Sequence, residues 1–311
     1  MTSYFPPEGR LLNTPENRAA CASPVALRRA MEEKAILEGV VRLCDAEHNL
    51  IVSLGAFTGL IPRAEAALGI ADGSTREIAI LSRVGKPVCF LVESVAETDG
   101  VIRPVLSRRL AQEAALNAIF RNWRPGTVIS ATVTHLEPFG AFVDVGCGIS
   151  SMIGIENISV SRIPHPDQRF AVGQEIFAVV QDLVPDQRRV YLTHKELLGT
   201  WSENAAAFQP GMTVPGIIRG QKEYGVFVEL TPNLSGLAEL RGGFQEGDRV
   251  SVYLKALLPE RMKIKLLMID RLPPLRAPEP LRYFITSGKL EQWRYAPAGC
   301  RKVGAQTVFA D

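Results

Sequence analysis

Phe139-Gly140-Ala141-Phe142 and Tyr224-Gly225-Val226-Phe227 each place two rings three residues apart around a glycine, and the second copy follows the first by 85 residues. Exposed rings on a strand can stack on flat partners, and nucleic-acid bases are the obvious ones, at about 1–3 kcal/mol per base with little sequence preference. A spacing of three puts two residues on opposite faces of an ideal strand. Either the glycine marks a turn or bulge that brings both rings to one side, or one ring of each pair belongs to a core. Phe142 and Phe227 are expected to be exposed stackers, with Phe139 and Tyr224 at the strand entrance.

No catalytic constellation competes with this pattern. His48, His135, His165 and His194 stand apart from any nucleophile or ligand pair and read as loop or surface residues. Gly146-Cys147-Gly148 lacks the spacing of a dinucleotide fingerprint, and no GxxxxGK[ST] loop occurs. Asp182 and Asp186 read as solvated turn residues. Five cysteines (Cys21, Cys44, Cys89, Cys147, Cys300) are scattered and never spaced as CxxC, which favours reduced thiols over a disulfide framework or a zinc site. The chain is therefore expected to be no enzyme and to need no cofactor or metal.

The elements that must carry the rings come from the repeat itself. Gly126-Thr-Val answers to Gly211-Met-Thr, and Met152-Ile153 to Leu237-Ala238. Phe170-Ala-Val-Gly173 then answers to Phe244-Gln-Glu-Gly247, where the offset falls from 85 to 74. The second copy has lost 11 residues, and Ile158 to Arg169 is the extra loop of the first. Both end on a strand, Arg189 to Thr193 and Lys263 to Leu267. Period-2 alternation between Gly, Pro, Asp and Gln turns argues for five short strands in about 70 residues, which suits a small closed barrel. A weaker third copy runs upstream from Leu37-Glu-Gly39, with His48 and Ile51 in place of the rings. Asn49 stands there for a glycine and would tolerate a left-handed backbone.

Helical periodicity fills the joints. Ser23-Pro24 opens a helix over Ala26 to Ala35, Ser107 caps one over Arg108 to Asn122, and Lys195 to Phe208 reads as another connector. After Leu272 comes a proline-rich break. Arg282 to Thr286 would then pair with Lys289 to Tyr295 as a hairpin across Ser287-Gly288.

In 311 residues, 46% hydrophobic and 22% charged, the composition is that of a folded soluble protein. No apolar run reaches the roughly 18 residues of a membrane span. The N-terminus shows no secretory signal, so a cytoplasmic location is expected. Residues 209 to 311 hold 15 Lys/Arg against 10 Asp/Glu, a surplus of +5, whereas the remainder carries −3. A basic C-terminal third is consistent with a polyanionic partner.

FGAFVDVG, then VGQEI, then RRVYLTHKELLGTW together resemble the S1 RNA-binding domain, a module that occurs as tandem repeats in bacterial small-subunit ribosomal protein S1. The resemblance covers roughly residues 36 to 270 and is most specific in the middle copy. It implies a mainly β fold of three tandem five-stranded OB-fold (S1-type) barrels. They would lie at 36–106, degenerate, then 124–194 and 209–270. Around them fall an N-terminal segment with a short helix over 1–35, helical connectors over 107–123 and 195–208, and a basic C-terminal tail over 271–311. The face of strands 2 and 3 would hold single-stranded RNA, with Phe139, Phe142, Tyr224 and Phe227 as rings. Arg189 and Lys263, in the family's basic position before the last strand, would reach phosphates. Lys222 and Lys265 would add charge beside the third barrel, while Arg103 in the first copy reads as a surface charge. The family often carries Gly-Leu-Val-His-Ile-Ser after strand 3. Here Gly154 replaces the His and Glu156 the Ser, and the third copy has Glu239; these carboxylates would repel phosphate.

The implied function is non-catalytic binding of mRNA at the small ribosomal subunit, in the manner of a ribosomal protein S1-like factor, with no membrane or small-molecule substrate. The first barrel, without rings, would dock on protein. Two rivals are an adapter that hands transcripts to a nuclease and a protein-interaction scaffold whose barrels have lost RNA.

Overall fold

Along Gly225–Thr231, Val226 and Val228 are buried while Phe227 is exposed; along Lys263–Arg271, Ile264, Leu266 and Met268 are buried while Lys265, Leu267 and Ile269 face out. This alternation is what lets a strand line a core with one face only, and it recurs throughout the chain. The computed structural model describes residues 5–98, 101–275, 277–300 and 304–310. In it the strands form three five-stranded sheets that each close into a barrel.

The first barrel comprises β1 (Leu37–Cys44), β2 (Leu50–Ser53), β3 (Thr58–Ile61), β4 (Pro87–Thr98) and β5 (Val101–Ser107). The second comprises β6 (Val128–Glu137), β7 (Gly140–Asp144), β8 (Ser150–Gly154), β9 (Glu175–Val184) and β10 (Arg189–Thr193). The third comprises β11 (Thr213–Lys222), β12 (Gly225–Thr231), β13 (Leu234–Ala238), β14 (Arg249–Leu258) and β15 (Lys263–Arg271). All three share one circular strand order, with strands 1, 2 and 3 followed by 5 and then 4. Each contains a parallel pairing of strand 3 with strand 5: Leu60↔Val105, Met152↔Tyr191 and Leu237↔Lys265. Closure leaves no sheet edge open to another chain.

Packing divides the chain into two compact units. One holds residues up to Asn122 together with Asp144–Ser150, and the other holds Trp123–Val143 and Ser151 onward. In the first unit, helices Pro15–Ala20 and Pro24–Glu32 precede the barrel. Ser23 caps the second by accepting from the Ala26 N–H at 3.1 Å, as its sequence signal predicts. The buried Glu38 carboxylate accepts from the N–H groups of Gly9, Leu11 and Leu12 at 2.7–2.9 Å, tying the N-terminal segment to β1. Helix Arg108–Asn122 starts where expected, with the Ser107 hydroxyl accepting from the Leu110 N–H at 2.9 Å.

Within the second unit, the loop Ile158–Arg169 is more than an insertion. Its Val160 and Ser161 N–H groups donate to Asn233 Oδ1 and Pro232 O at 2.9 and 3.0 Å, and the Ser161 and Ser235 hydroxyls meet at 2.9 Å. Three expectations fail here. Lys195 to Phe208 is not one helix: a 3-10 turn over Lys195–Leu198 and a short helix over Trp201–Ala205 are separated by Gly199, whose φ of +82° breaks the run. The C-terminal hairpin lies further along. Strand Gln292–Arg294 pairs with Gln306–Val308, while 282–286 forms no strand and instead packs Tyr283 beside His194 and Phe177. Nor is His194 a surface residue. It is wholly buried, donating from Nδ1 to Ile158 O at 2.7 Å and accepting at Nε2 from the Tyr283 hydroxyl at 3.0 Å.

Candidate nucleic-acid interface

Each ring pair is built on a hairpin. β6 and β7 are joined by the two-residue turn Pro138-Phe139, and β11 and β12 by Glu223-Tyr224. Phe139 and Tyr224 therefore sit in the turn, outside the strand alternation, and reach the same side as the ring three residues on. That settles the alternative left by the spacing in favour of a turn. Phe139 and Phe142 meet edge-to-face with centroids 6.0 Å apart at 88°, and Tyr224 and Phe227 at 6.2 Å and 88°. Such pairs hold each other's orientation. They stay open to solvent: Tyr224 is 69% exposed, Phe139 56%, Phe227 37%, with Phe142 half-buried.

The glycine between the rings is needed for close approach. A Cβ at Gly140 would lie 2.5 Å from the backbone oxygen of Ile153, and one at Gly225 2.5 Å from that of Ala238. Real Cβ atoms do not come so near a neighbouring strand. In the first barrel it is His48, not Asn49, that takes the left-handed backbone, at φ +63°. His48 Nδ1 lies 3.0 Å from Glu77, which also pairs with Arg63. A polar cluster thus stands where the other barrels present rings.

The cations divide unequally between the two ringed barrels. Arg189 and Lys263 occupy matching places, each just after a left-handed residue (Arg188 and Met262) that ends a 3-10 turn; Arg189 is exposed and Lys263 half-buried. In the third barrel, Lys222 is exposed at the end of β11 opposite Gly225, and Lys265 on the outer face of β15 is in register with Leu237, which pairs with Phe227. The corresponding positions of the middle barrel are Glu137 and Tyr191, the latter in register with Met152. Across from Phe227 lies Gly220, with open space where a side chain would be. Its middle-barrel counterpart is His135, whose ring is 6.2 Å from Phe142 and whose Nε2 lies 2.7 Å from Glu137. The sequence reads His135 only as a loop or surface residue and gives Tyr191 no role, although the 85- and 74-residue offsets align them with Gly220 and Lys265. Of the carboxylates expected to repel phosphate, Glu156 is exposed, and Glu239 is paired with Lys255 at 3.0 Å. Arg103 is exposed on β5.

Residues 123–195 match the family model described as the S1 RNA binding domain. The matched segment is similar to that family. It contains the middle barrel with Phe139, Phe142 and Arg189. Beyond it, the chain is homologous to curated bacterial relatives named small ribosomal subunit protein bS1. It is 28% identical over 261 residues to that of Neisseria meningitidis, covering 82% of this chain and 45% of the relative. It is 30% identical over 182 residues to that of Leuconostoc lactis, covering 53% and 42%. To the bS1 homolog of Bacillus subtilis it is 27% identical over 219 residues, covering 69% and 54%. The chain thus spans about half the length of the curated relatives it matches. Among the described residues, no cluster of three or more His, Cys, Asp or Glu could hold a metal ion, and no helix is long and apolar enough to cross a membrane.

Proposed function

We propose that the chain is a non-catalytic, single-stranded RNA-binding protein of the cytoplasm that acts in translation, holding mRNA at the small ribosomal subunit through three S1-type barrels. The observation that carries this reading is the duplicated, solvent-open, edge-to-face ring pair, once inside the matched segment and once on the barrel that follows it. Bases stack on Phe139, Phe142, Tyr224 and Phe227, and Arg189, Lys222, Lys263 and Lys265 meet phosphates. The third barrel is the principal grip, because its rings stand beside Lys222 and Lys265 whereas those of the middle barrel stand beside Glu137. Binding of this kind tolerates sequence and weakens steeply with salt. The first barrel contributes protein contact, its ring site being filled by the His48, Glu77 and Arg63 cluster. Homology to small-subunit proteins supports the ribosomal setting. Sedimentation of a lysate tests it: the protein is expected to co-migrate with small subunits, and recovery with a nuclease and free of ribosomes would replace translation by RNA processing.

A further inference from the structure

Matching positions on the outer faces of the two ringed barrels carry different chemistry. In the third barrel the run across the face is Gly220, Phe227, Leu237 and Lys265, successive partners in strand register. The 85- and 74-residue offsets turn these into His135, Phe142, Met152 and Tyr191 in the middle barrel. All four are exposed or half-buried, and Met152 and Tyr191 are themselves in register. An imidazole fills the space left open at Gly220, and a phenol ring replaces the ammonium of Lys265. The row therefore offers bases a wider surface and offers phosphates no cation.

His135 is held where it can read a base. Its ring centroid lies 6.2 Å from that of Phe142, with the planes 32° apart, so a base stacked on Phe142 comes within reach of the imidazole. Its Nε2 lies 2.7 Å from Glu137 Oε1. A carboxylate only accepts, so Nε2 is the donor, and in the neutral ring Nδ1 is left as an acceptor. The His135 side chain is 63% exposed and that of Glu137 39%, which leaves both acceptors open to an incoming base. Acceptors ask for donors. Cytosine, adenine and guanine each carry an amino group with two N–H bonds. Uracil has none, and its one ring N–H is flanked by two carbonyl oxygens whose lone pairs would face the acceptors.

Resting on the RNA-binding role given above, we propose that the middle barrel selects bases bearing an amino group over uracil, with His135 as the specificity-determining residue. Phe142 supplies the stacking surface and His135 Nδ1 accepts from the amino group. Glu137 fixes the tautomer that makes Nδ1 an acceptor. The third barrel has only Gly220 at that place, so nothing there reads the base that stacks on Phe227.

Equilibrium binding of the full chain to oligocytidylate and oligouridylate of equal length tests this, at one ionic strength and at about pH 8, where an ordinary imidazole is neutral. Tyr224→Ala plus Phe227→Ala weakens the third barrel's grip, and the middle barrel's preference is read in that background. The cytidylate is expected to bind about three- to tenfold more tightly there, which is what one net hydrogen bond supplies. Adding His135→Phe keeps a ring and removes the acceptor, and the ratio should fall to near one. That side chain stands mostly in solvent, so the substitution leaves the core untouched. Should the background variant bind too weakly to measure, the ratio in the wild type against His135→Phe alone decides, with a smaller margin expected. Equal affinity for the two oligonucleotides, or a preference that survives His135→Phe, would overturn the proposal and leave RNA binding itself in place. Failure of the wild type to bind either one would overturn the RNA-binding reading, and the proposal with it.

Discussion

At Gly225 and Gly140 the backbone of the ring-bearing strand passes so close to the next strand that a methyl group has nowhere to go. Gly225 also has a φ of +150°, whereas Gly140 is not among the positive-φ glycines, so the pair separates the two costs. Gly140→Ala is expected to destabilise by about 1–3 kcal/mol from the clash alone, and Gly225→Ala by more, as read by chemical denaturation. Equal and negligible losses would mean that the strands can part without penalty. The charge difference between barrels also lives at this scale. Glu137→Lys gives the middle barrel the cation that Lys222 gives the third. It should tighten RNA binding a few-fold and steepen the dependence of log K on log salt by about 0.7, the share of one added phosphate contact on a single strand. An unchanged slope would place residue 137 off the RNA path.

Elements that depend on local pattern were legible in the sequence, and those that depend on distant packing were not. Alternation and turn residues mark the barrel strands, and Ser23 and Ser107 mark two helix starts, because each signal acts within four residues. Lys195 to Phe208 has helical composition, yet Gly199 at φ +82° divides it beside Phe284, a residue far along the chain. Strand Gln292–Arg294 finds its partner at Gln306–Val308 rather than at the nearer run, because Tyr283, Trp293, Tyr295 and Phe309 are taken up by packing in the second unit. The rings of the site were legible from their repetition. His135, Tyr191 and Glu137 were not, because their roles follow from register against a second copy rather than from residue type.

His194 was unreadable for the same reason, and it makes the element that carries it sensitive to acid. Burial pushes its pKa down from the ordinary 6.5 to about 4; the bond to Ile158 O opposes that fall and the Arg169 guanidinium adds to it. A depressed histidine pKa means that the unfolded chain binds the proton first. The stability it protects is whole above pH 6.5 and falls as pH drops toward 4, by roughly 3 kcal/mol. Denaturation between pH 7 and 4 should show this loss, and His194→Gln should flatten it. Identical pH profiles for wild type and His194→Gln would refute the assignment.

At the scale of the whole molecule, three closed barrels of one strand order carry three grades of the same surface. The first has no ring pair, the middle has rings beside an acid, and the third has rings beside lysines. The charge of the chain follows that gradient, with the surplus of +5 lying in residues 209 to 311. An RNA strand that needs both stacking and phosphate contacts should therefore depend most on the third barrel. Equilibrium filter binding of a pyrimidine-rich oligonucleotide tests this most directly, with wild type compared against Phe142→Ala plus Phe227→Ala and each single variant. The double variant, shown to be folded, is expected to lose at least about 1–3 kcal/mol of binding, with Phe227→Ala costing more than Phe142→Ala. Undiminished affinity in the folded double variant would contradict the account.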